Sequence, residues 1–201
     1  MLLDKSYSVI AVRKGASSPI LVEHHNLVTI IAELRDQQAV DHIIKSITES
    51  YSPPLKALIN NAAFQQIGAI EDLSVDLIKD QFNVNLFAAH QLTVGLLPIF
   101  RRQRHGTIVQ VSSFQGLYPL PYQGAYAASK AALDSITKSM QIELHGTGVQ
   151  LYTLHLGPVQ SELRKKASNN FTNTIDVANS KHSLNYETLL DQPTTIKMHR
   201  F

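Results

Sequence analysis

Five short apolar runs punctuate the chain, and amphipathic stretches separate them. The runs are 8–12 (Ser-Val-Ile-Ala-Val), 27–32 (Leu-Val-Thr-Ile-Ile-Ala), 55–59 (Leu-Lys-Ala-Leu-Ile), 107–111 (Thr-Ile-Val-Gln-Val) and 149–154 (Val-Gln-Leu-Tyr-Thr-Leu). Short runs that are apolar nearly throughout and bounded by turn residues predict strands buried on both faces. Between them, 36–50 opens on Asp36, an acidic N-cap candidate, and carries Val40, Ile43, Ile44 and Ile47 at helical spacing. Residues 72–103 show Leu77, Ile78, Phe82, Leu86, Phe87 and Leu92 on a broad apolar face, and read as one long helix or two. An alanine-rich helix is expected over 125–144, closed by His145-Gly146-Thr147-Gly148, whose glycines signal a C-cap. Strands alternating with helices predict a doubly wound α/β fold: a parallel sheet between two helical layers, Rossmann-like in form. No repeat or linker-like composition divides the chain, so residues 1–201 read as a single domain. Its last part, 161–201, is rich in Asn, Ser and Thr, and promises helical fragments at best, around 186–190.

Composition removes several classes of function. At 44% hydrophobic, 201 residues can bury a core. Net charge is only +2 and the signs are interspersed, which leaves no electrostatic footprint for a nucleic acid. The local cluster Arg101, Arg102, Arg104 follows Pro98 and reads as cations at a helix C-terminus. The absence of cysteine excludes disulfides and thiolate metal sites. Nine histidines show no ligand spacing of the HExxH kind, so no metal site is expected. No apolar run reaches about 18 residues, so no membrane-spanning helix is expected. The opening residues lack the form of a signal peptide, and a cytoplasmic protein is the expectation.

The stretch with the most chemistry is 113–130. Tyr126 and Lys130 are four apart, which on a helix stacks them on one face. A phenol beside a fixed ammonium is a proton donor whose anion is stabilised, and it can exchange a proton with an alcohol or carbonyl oxygen. Ser113, thirteen residues before the tyrosine, ends the fourth apolar run, where its hydroxyl can enter the same crevice. Asn60 and Asn61 end the third run, Asn85 lies in the long helical stretch, and Leu156-Gly157-Pro158-Val159 ends the fifth. Doubly wound sheets bind ligands at these carboxyl ends.

The ordered set of INNAAF (59–64), NVNLF (83–87), GTIVQVSS (106–113) and YAASKAAL (126–133) resembles the short-chain dehydrogenase/reductase family, from about residue 6 to about residue 165. The resemblance implies a hydride transfer between NAD(P) and a carbonyl or alcohol substrate. Tyr126 would be the acid/base, Lys130 would lower its pKa and hold the nicotinamide ribose, and Ser113 would bond the substrate oxygen. Asn85 would hold a water in a proton relay behind Lys130. Asn61 would support the cofactor near the adenosine, Val159 and Ser161 would touch the nicotinamide end, and Glu33 would lie near the adenine. Arg13 and Lys14 end the strand whose last residue chooses between cofactors, and a basic residue there favours the 2′-phosphate of NADP over NAD. Gln115 and Tyr122 would join Ser113 in contacting substrate. Phe114, Leu117, Tyr118, Leu120 and Tyr122 suggest an apolar one, an aldehyde, ketone, retinoid or steroid. The two long helices are those through which family members form homodimers or homotetramers.

Two departures shape the expectation. The family opens with a strand and a glycine-rich TGxxxGxG turn that cradles the pyrophosphate at a helix N-terminus. This sequence has no such motif, and its opening residues resemble the end of the first helix running into the second strand. The absent strand would stand mid-sheet, between 8–12 and 55–59, leaving those neighbours unpaired or forcing them together. The family's last helix and strand also have no counterpart in 161–201. The chain therefore reads as a truncated member, and the alternative function is a catalytically inactive or dimerising fragment without a complete cofactor site.

Overall fold

The computed structural model describes residues 2–15, 24–50, 54–159 and 161–191. The five apolar runs form strands β1 (Val9–Arg13), β2 (Leu27–Ile31), β3 (Ala57–Asn60), β4 (Gly106–Ser113) and β5 (Val149–Leu156). Helices α1 (Gln37–Ser50), α2 (Val75–Phe82), α3 (Ala89–Gln103) and α4 (Gly124–Glu143) alternate with them, and α5 (Glu162–Thr174) and α6 (Ser183–Asp191) follow. Every pairing is parallel, but the strands form two sheets, β1-β2 and β3-β4-β5. Of the two expected consequences of the absent strand, the first holds: β1 and β3 are not paired to each other, and no described strand lies between them.

Side-chain packing joins what hydrogen bonds do not. Val40, Ile43 and Ile47 of α1 and Leu92, Leu96 and Phe100 of α3 form one core with Ile108 of β4 and Leu151 of β5. Ile10 and Val12 of β1 and Leu58 of β3 pack against that same core. Each fully buried side chain of this size contributes about 1.5–3 kcal/mol relative to exposure.

Local chemistry fixes the boundaries. Asp36 Oδ1 accepts the Gln38 N–H at 2.9 Å and starts α1. Ser74 caps α2 through the Leu77 N–H. The long helical stretch is broken by a π-helical segment, Asn83–Ala88, between α2 and α3. Arg101 and Arg102 occupy the last turn of α3, as the charge pattern indicated. After α4, Gly148 stands at φ +81°, and a Cβ there would lie 2.1 Å from the Arg104 carbonyl oxygen. Both the left-handed backbone and the close approach require glycine.

The tail differs from expectation. Residues 162–174 and 183–191 are helices, not fragments. Among the described residues of this region Ala167, Phe171, Ile175 and Tyr186 are buried, and Phe171, Ile175 and Tyr186 dock on Ala69, Leu73 and Ala125. So few apolar residues among so many Asn and Ser give a weak periodic signal. The helices exist because docking supplies what intrinsic propensity does not. Among the described residues, no helix is long and apolar enough to cross a membrane.

Candidate active site

β4 delivers Ser113 to its carboxyl end, where the serine caps a short helical turn, Phe114–Gly116, by accepting the Gln115 N–H at 3.2 Å. Two turns of irregular chain later, α4 begins and brings Tyr126 and Lys130 beneath that end. Tyr126 is 7% exposed and Lys130 is 2% exposed. Burial pushes the Tyr126 phenol up from its ordinary pKa, and a hydrogen bond with Ser113 pulls the other way. The lysine ammonium lies 5.9 Å from the Tyr126 ring centroid and donates to the Val111 carbonyl at 2.7 Å. Burial takes Lys130 down to about 8, against the pull of Asp134. Ser113 is thus the group bonded to the phenol, and the lysine ammonium stands beside the ring.

Asn85 sits in the π-helical segment, which widens the turn and aims its amide inward. The side chain is 1% exposed and works like a strand partner for Phe64. Its Oδ1 accepts the Phe64 N–H at 2.8 Å and its Nδ2 donates to the Phe64 carbonyl at 2.9 Å. The same Nδ2 reaches Ser129 Oγ at 3.0 Å, and Ser129 donates to the Tyr126 carbonyl at 2.7 Å. Asn85 thus ties the loop after β3 to the turn of α4 that carries Tyr126 and Lys130. The amide is engaged by Phe64 and Ser129; the water it would hold in a relay behind Lys130 is what the family resemblance implies.

The other expected positions line the carboxyl ends of the remaining strands. Arg13 ends β1 and is half-buried. Glu33 follows β2 and is ion-paired with Lys14 and with Arg35 Nη1 at 3.5 Å. Its partial burial works to raise its pKa, but the bonds from Lys14 and the Arg35 amide hold it below the usual value. Arg35 also covers the Phe64 ring at 4.4 Å. Asn61 is exposed just past β3, with its N–H turned back to the Ile59 carbonyl. Val159 is 62% exposed, and Ser161 stands at the N-cap of α5 without a capping bond from its side chain. Phe114 and Tyr118 stack at 4.8 Å and are both exposed, forming an apolar lip beside Ser113. Tyr122 has φ +61° and packs its ring edge-on against Tyr186 at 5.5 Å, so it faces the tail.

Sequence reading missed a set of buried amides. Gln123, three residues before Tyr126, accepts from Gln65 at 2.6 Å and Gln115 at 2.8 Å. Gln81 bonds the backbone of Gln66 and Phe64 from α2. Glutamines carry no sequence signal for burial, so nothing distinguished these from surface residues. It also missed Asp134 and His155, which meet at 2.8 Å; the only hint was the i+4 spacing of Asp134 from Lys130. Among the described residues, no group of three or more His, Asp or Glu could hold a metal ion.

The site suits a nicotinamide cofactor at one end only. A buried phenol and ammonium can meet a ribose and a reacting oxygen, whereas the chain's nine glycines contain no TGxxxGxG turn for a pyrophosphate. The chain matches the family model described as short chain dehydrogenase over residues 2–171. It is 33% identical over 150 residues to an uncharacterized oxidoreductase, YbbO, of Escherichia coli (strain K12), covering 73% of this chain and 56% of that protein. It is 30% identical over 144 residues to an NADPH-dependent 3-dehydrocapnine reductase of Ornithobacterium rhinotracheale, covering 69% of this chain and 51% of that one. A solved structure, 4-hydroxyisoleucine dehydrogenase complexed with NADH, superposes with a TM-score of 0.75 at 28% identity, covering 85% of this chain and 71% of that chain. The chain thus spans little more than half the length of the two curated relatives.

Proposed function

Because the chain belongs to the short-chain dehydrogenase family, we propose that it is an oxidoreductase that moves a hydride between a nicotinamide cofactor and a carbonyl/alcohol pair. The observation that carries this reading is the buried unit of Ser113, Tyr126 and Lys130, braced by Asn85 through Ser129. The cofactor supplies the hydride; the protein supplies position and a proton. Ser113 Oγ and the Tyr126 phenol converge where a substrate oxygen would be held. In reduction Tyr126 gives its proton to the oxygen that becomes an alcohol, and in oxidation it takes that proton back. A phenol raised by burial holds its proton for the first task. With its pKa near 8, Lys130 is about nine-tenths ammonium at pH 7 and stabilises the phenolate left behind.

We assign NADP(H) as the preferred cofactor. Arg13 and Lys14 at the end of β1 support it, through the affinity of basic side chains for a 2′-phosphate, and one relative is NADPH-dependent. Arg13, Glu33 and Asn61 would hold the adenosine half, and Val159 and Ser161 the nicotinamide half. The exposed lip of Phe114, Leu117 and Tyr118 supports an apolar substrate, with Gln115 and Ser113 as its polar contacts. Exposed Phe87 and Val94 beside and on α3, and Ile142 on α4, support pairing of two copies through these helices. A second reading, a fragment without a complete cofactor site, is favoured by the open flank between β1 and β3.

One experiment separates the two. NADPH and NADH are titrated by fluorescence, then aldehyde and ketone turnover is assayed for the parent and Tyr126→Phe. The enzyme reading expects NADPH binding that survives the substitution while turnover falls by about 100-fold or more. No binding at millimolar cofactor rejects it in favour of the fragment, and undiminished turnover rejects Tyr126 as the acid/base.

A further inference from the structure

Lys130 is a charge in an almost fully enclosed place, and a lone buried ammonium is costly unless a counter-charge compensates it. The acceptor at its Nζ, the Val111 carbonyl, is neutral. A counter-charge lies one turn along α4. Asp134 is at i+4 from Lys130 and is 4% exposed. Its Oδ2 meets His155 Nε2 of β5 at 2.8 Å, and its Oδ1 is buried with no hydrogen-bond partner. A buried carboxylate with one bond is costly unless a positive neighbour compensates it. The turn after Ser113 is shaped to cover it. A Cβ at Gly116 would stand 2.9 Å from Asp134 Oδ2 and 3.2 Å from the Lys130 carbonyl carbon, so the missing side chain lets this turn close on α4. His155 reaches the pair from the other side because it registers beside Ser112 on the neighbouring strand, and its ring remains 31% exposed.

We propose that Asp134 and His155 are positioning residues for Lys130: the carboxylate of Asp134 keeps the lysine cationic at the crevice, and the Nε2–H of His155 fixes that carboxylate. The proposal rests on reading Lys130 as the cation of the site. In support, Asp134 is the group that works to raise Lys130 against its burial. Among the described residues, Lys130 stands beside Tyr126 and is drawn by Asp134 of its own helix, with His155 of β5 bonded to that aspartate. From β4 comes an uncharged group, the Val111 carbonyl, while Asn85 of the π-helical segment reaches Ser129 on the same helix.

The test reads Lys130 itself. The full chain is labelled with ¹³C at lysine Cε, the Lys130 signal is assigned by its loss in Lys130→Arg, and its titration is followed by NMR without cofactor. The parent midpoint is expected at about 8. Asp134→Asn lowers it by about half a unit or more, Asp134→Glu restores it, and Asp76→Asn on the exposed face of α2 leaves it in place. His155→Phe lowers it too, while His155→Gln, which keeps a donor, holds it near the parent value. A midpoint in Asp134→Asn within about 0.2 units of the parent overturns the proposal. If Asp134→Asn does not fold, the His155 pair decides alone, and equal midpoints for Phe and Gln overturn it. A merely structural role would change thermal stability and leave the midpoint where it is. Because no turnover is measured, the failure of the enzyme reading and the failure of this one are separate results.

Discussion

Tyr186→Phe tests how the tail is held. Tyr186 is fully buried, with Phe171 at 4.9 Å and Tyr122 at 5.5 Å between ring centroids. Its hydroxyl accepts the N–H of Ala69 at 2.7 Å and donates to Asp72 Oδ2. Phenylalanine keeps the ring contacts, so the loss is polar. The Ala69 N–H, on a buried residue, becomes an unsatisfied donor, at a cost of about 1–3 kcal/mol. Asp72 is only half-buried and keeps the Ser180 hydroxyl at 2.6 Å, so losing one donor there costs about 1 kcal/mol at most. The expected loss is about 2 kcal/mol, or about 4–8 °C in melting temperature for a chain of this size. The pH dependence adds a second mark. The Asp72 carboxyl is held below its ordinary value by bonds from Ser180 and Tyr186, so its stabilisation is present above about pH 4 and is lost as pH falls through the folded value. Burial and Asp72 push the Tyr186 phenol up to about 12, so its stabilisation is complete below about pH 10 and is lost as pH rises through 12. Thermal and urea unfolding of parent and variant from pH 3 to 9 should therefore show the widest gap near neutrality, narrowing in acid. The control is Tyr152→Phe, whose exposed hydroxyl bonds Gln150. A loss below about 0.5 kcal/mol at pH 7, or a gap as wide at pH 3 as at pH 7, would refute the reasoning.

Two further substitutions are decided by geometry already described. Gly148→Ala must adopt φ +81° and place a Cβ 2.1 Å from a backbone oxygen, so it should cost about 3 kcal/mol or more in urea unfolding. Gly146→Ala, at φ +75° with open space around it, should cost only about 1 kcal/mol, and equal losses would remove the steric half of the argument. Asn85→Ala orphans the Phe64 N–H and leaves a void in the π-helical segment. It should destabilise by about 2–4 kcal/mol and speed proteolysis after β3; a stability within about 1 kcal/mol of the parent would show that the amide does not brace the loop.

The strands were legible because each is apolar nearly throughout and bounded by turn residues, but the burial on both faces that this pattern predicts does not hold: Val28 and Ile31 of β2, Ile59 of β3 and Tyr152 and Leu154 of β5 are exposed. The observed bounds differ from the expected ones by a residue or two at either end, the largest extension being β4, which gains Gly106 at its start and Ser112 and Ser113 at its end. Ser113, Tyr126 and Lys130 were legible because one spacing on one helix and one strand end bring them together. The role of Asn85 came from resemblance alone, and the structure gives its amide partners that no spacing foretells, since they depend on the π-helical widening of the backbone. Tail helices α5 and α6 were illegible because their burial rests on a handful of side chains. Likewise His155 pairs with Asp134 only through the register of β5 against β4, a three-dimensional fact with no trace in a one-dimensional pattern.

The divided sheet has a mechanical meaning. A ladder of hydrogen bonds carries shear from strand to strand, and β3-β4-β5 is laced in this way across its width. Among the described residues no ladder joins β1 to β3, and Ile10 and Val12 of β1 lean on the core shared with α1 and α3. Greasy contacts resist separation but slide at little cost, because dispersion and hydrophobic burial have no preferred direction along a strand. Among the described residues, the half that carries Lys14, Glu33 and Arg35 meets the half that carries Tyr126 and Lys130 through no strand ladder, and Arg35 reaches across it with its side chain, over the Phe64 ring and beside Asp80. That makes the boundary between the two sheets the natural place for the molecule to yield.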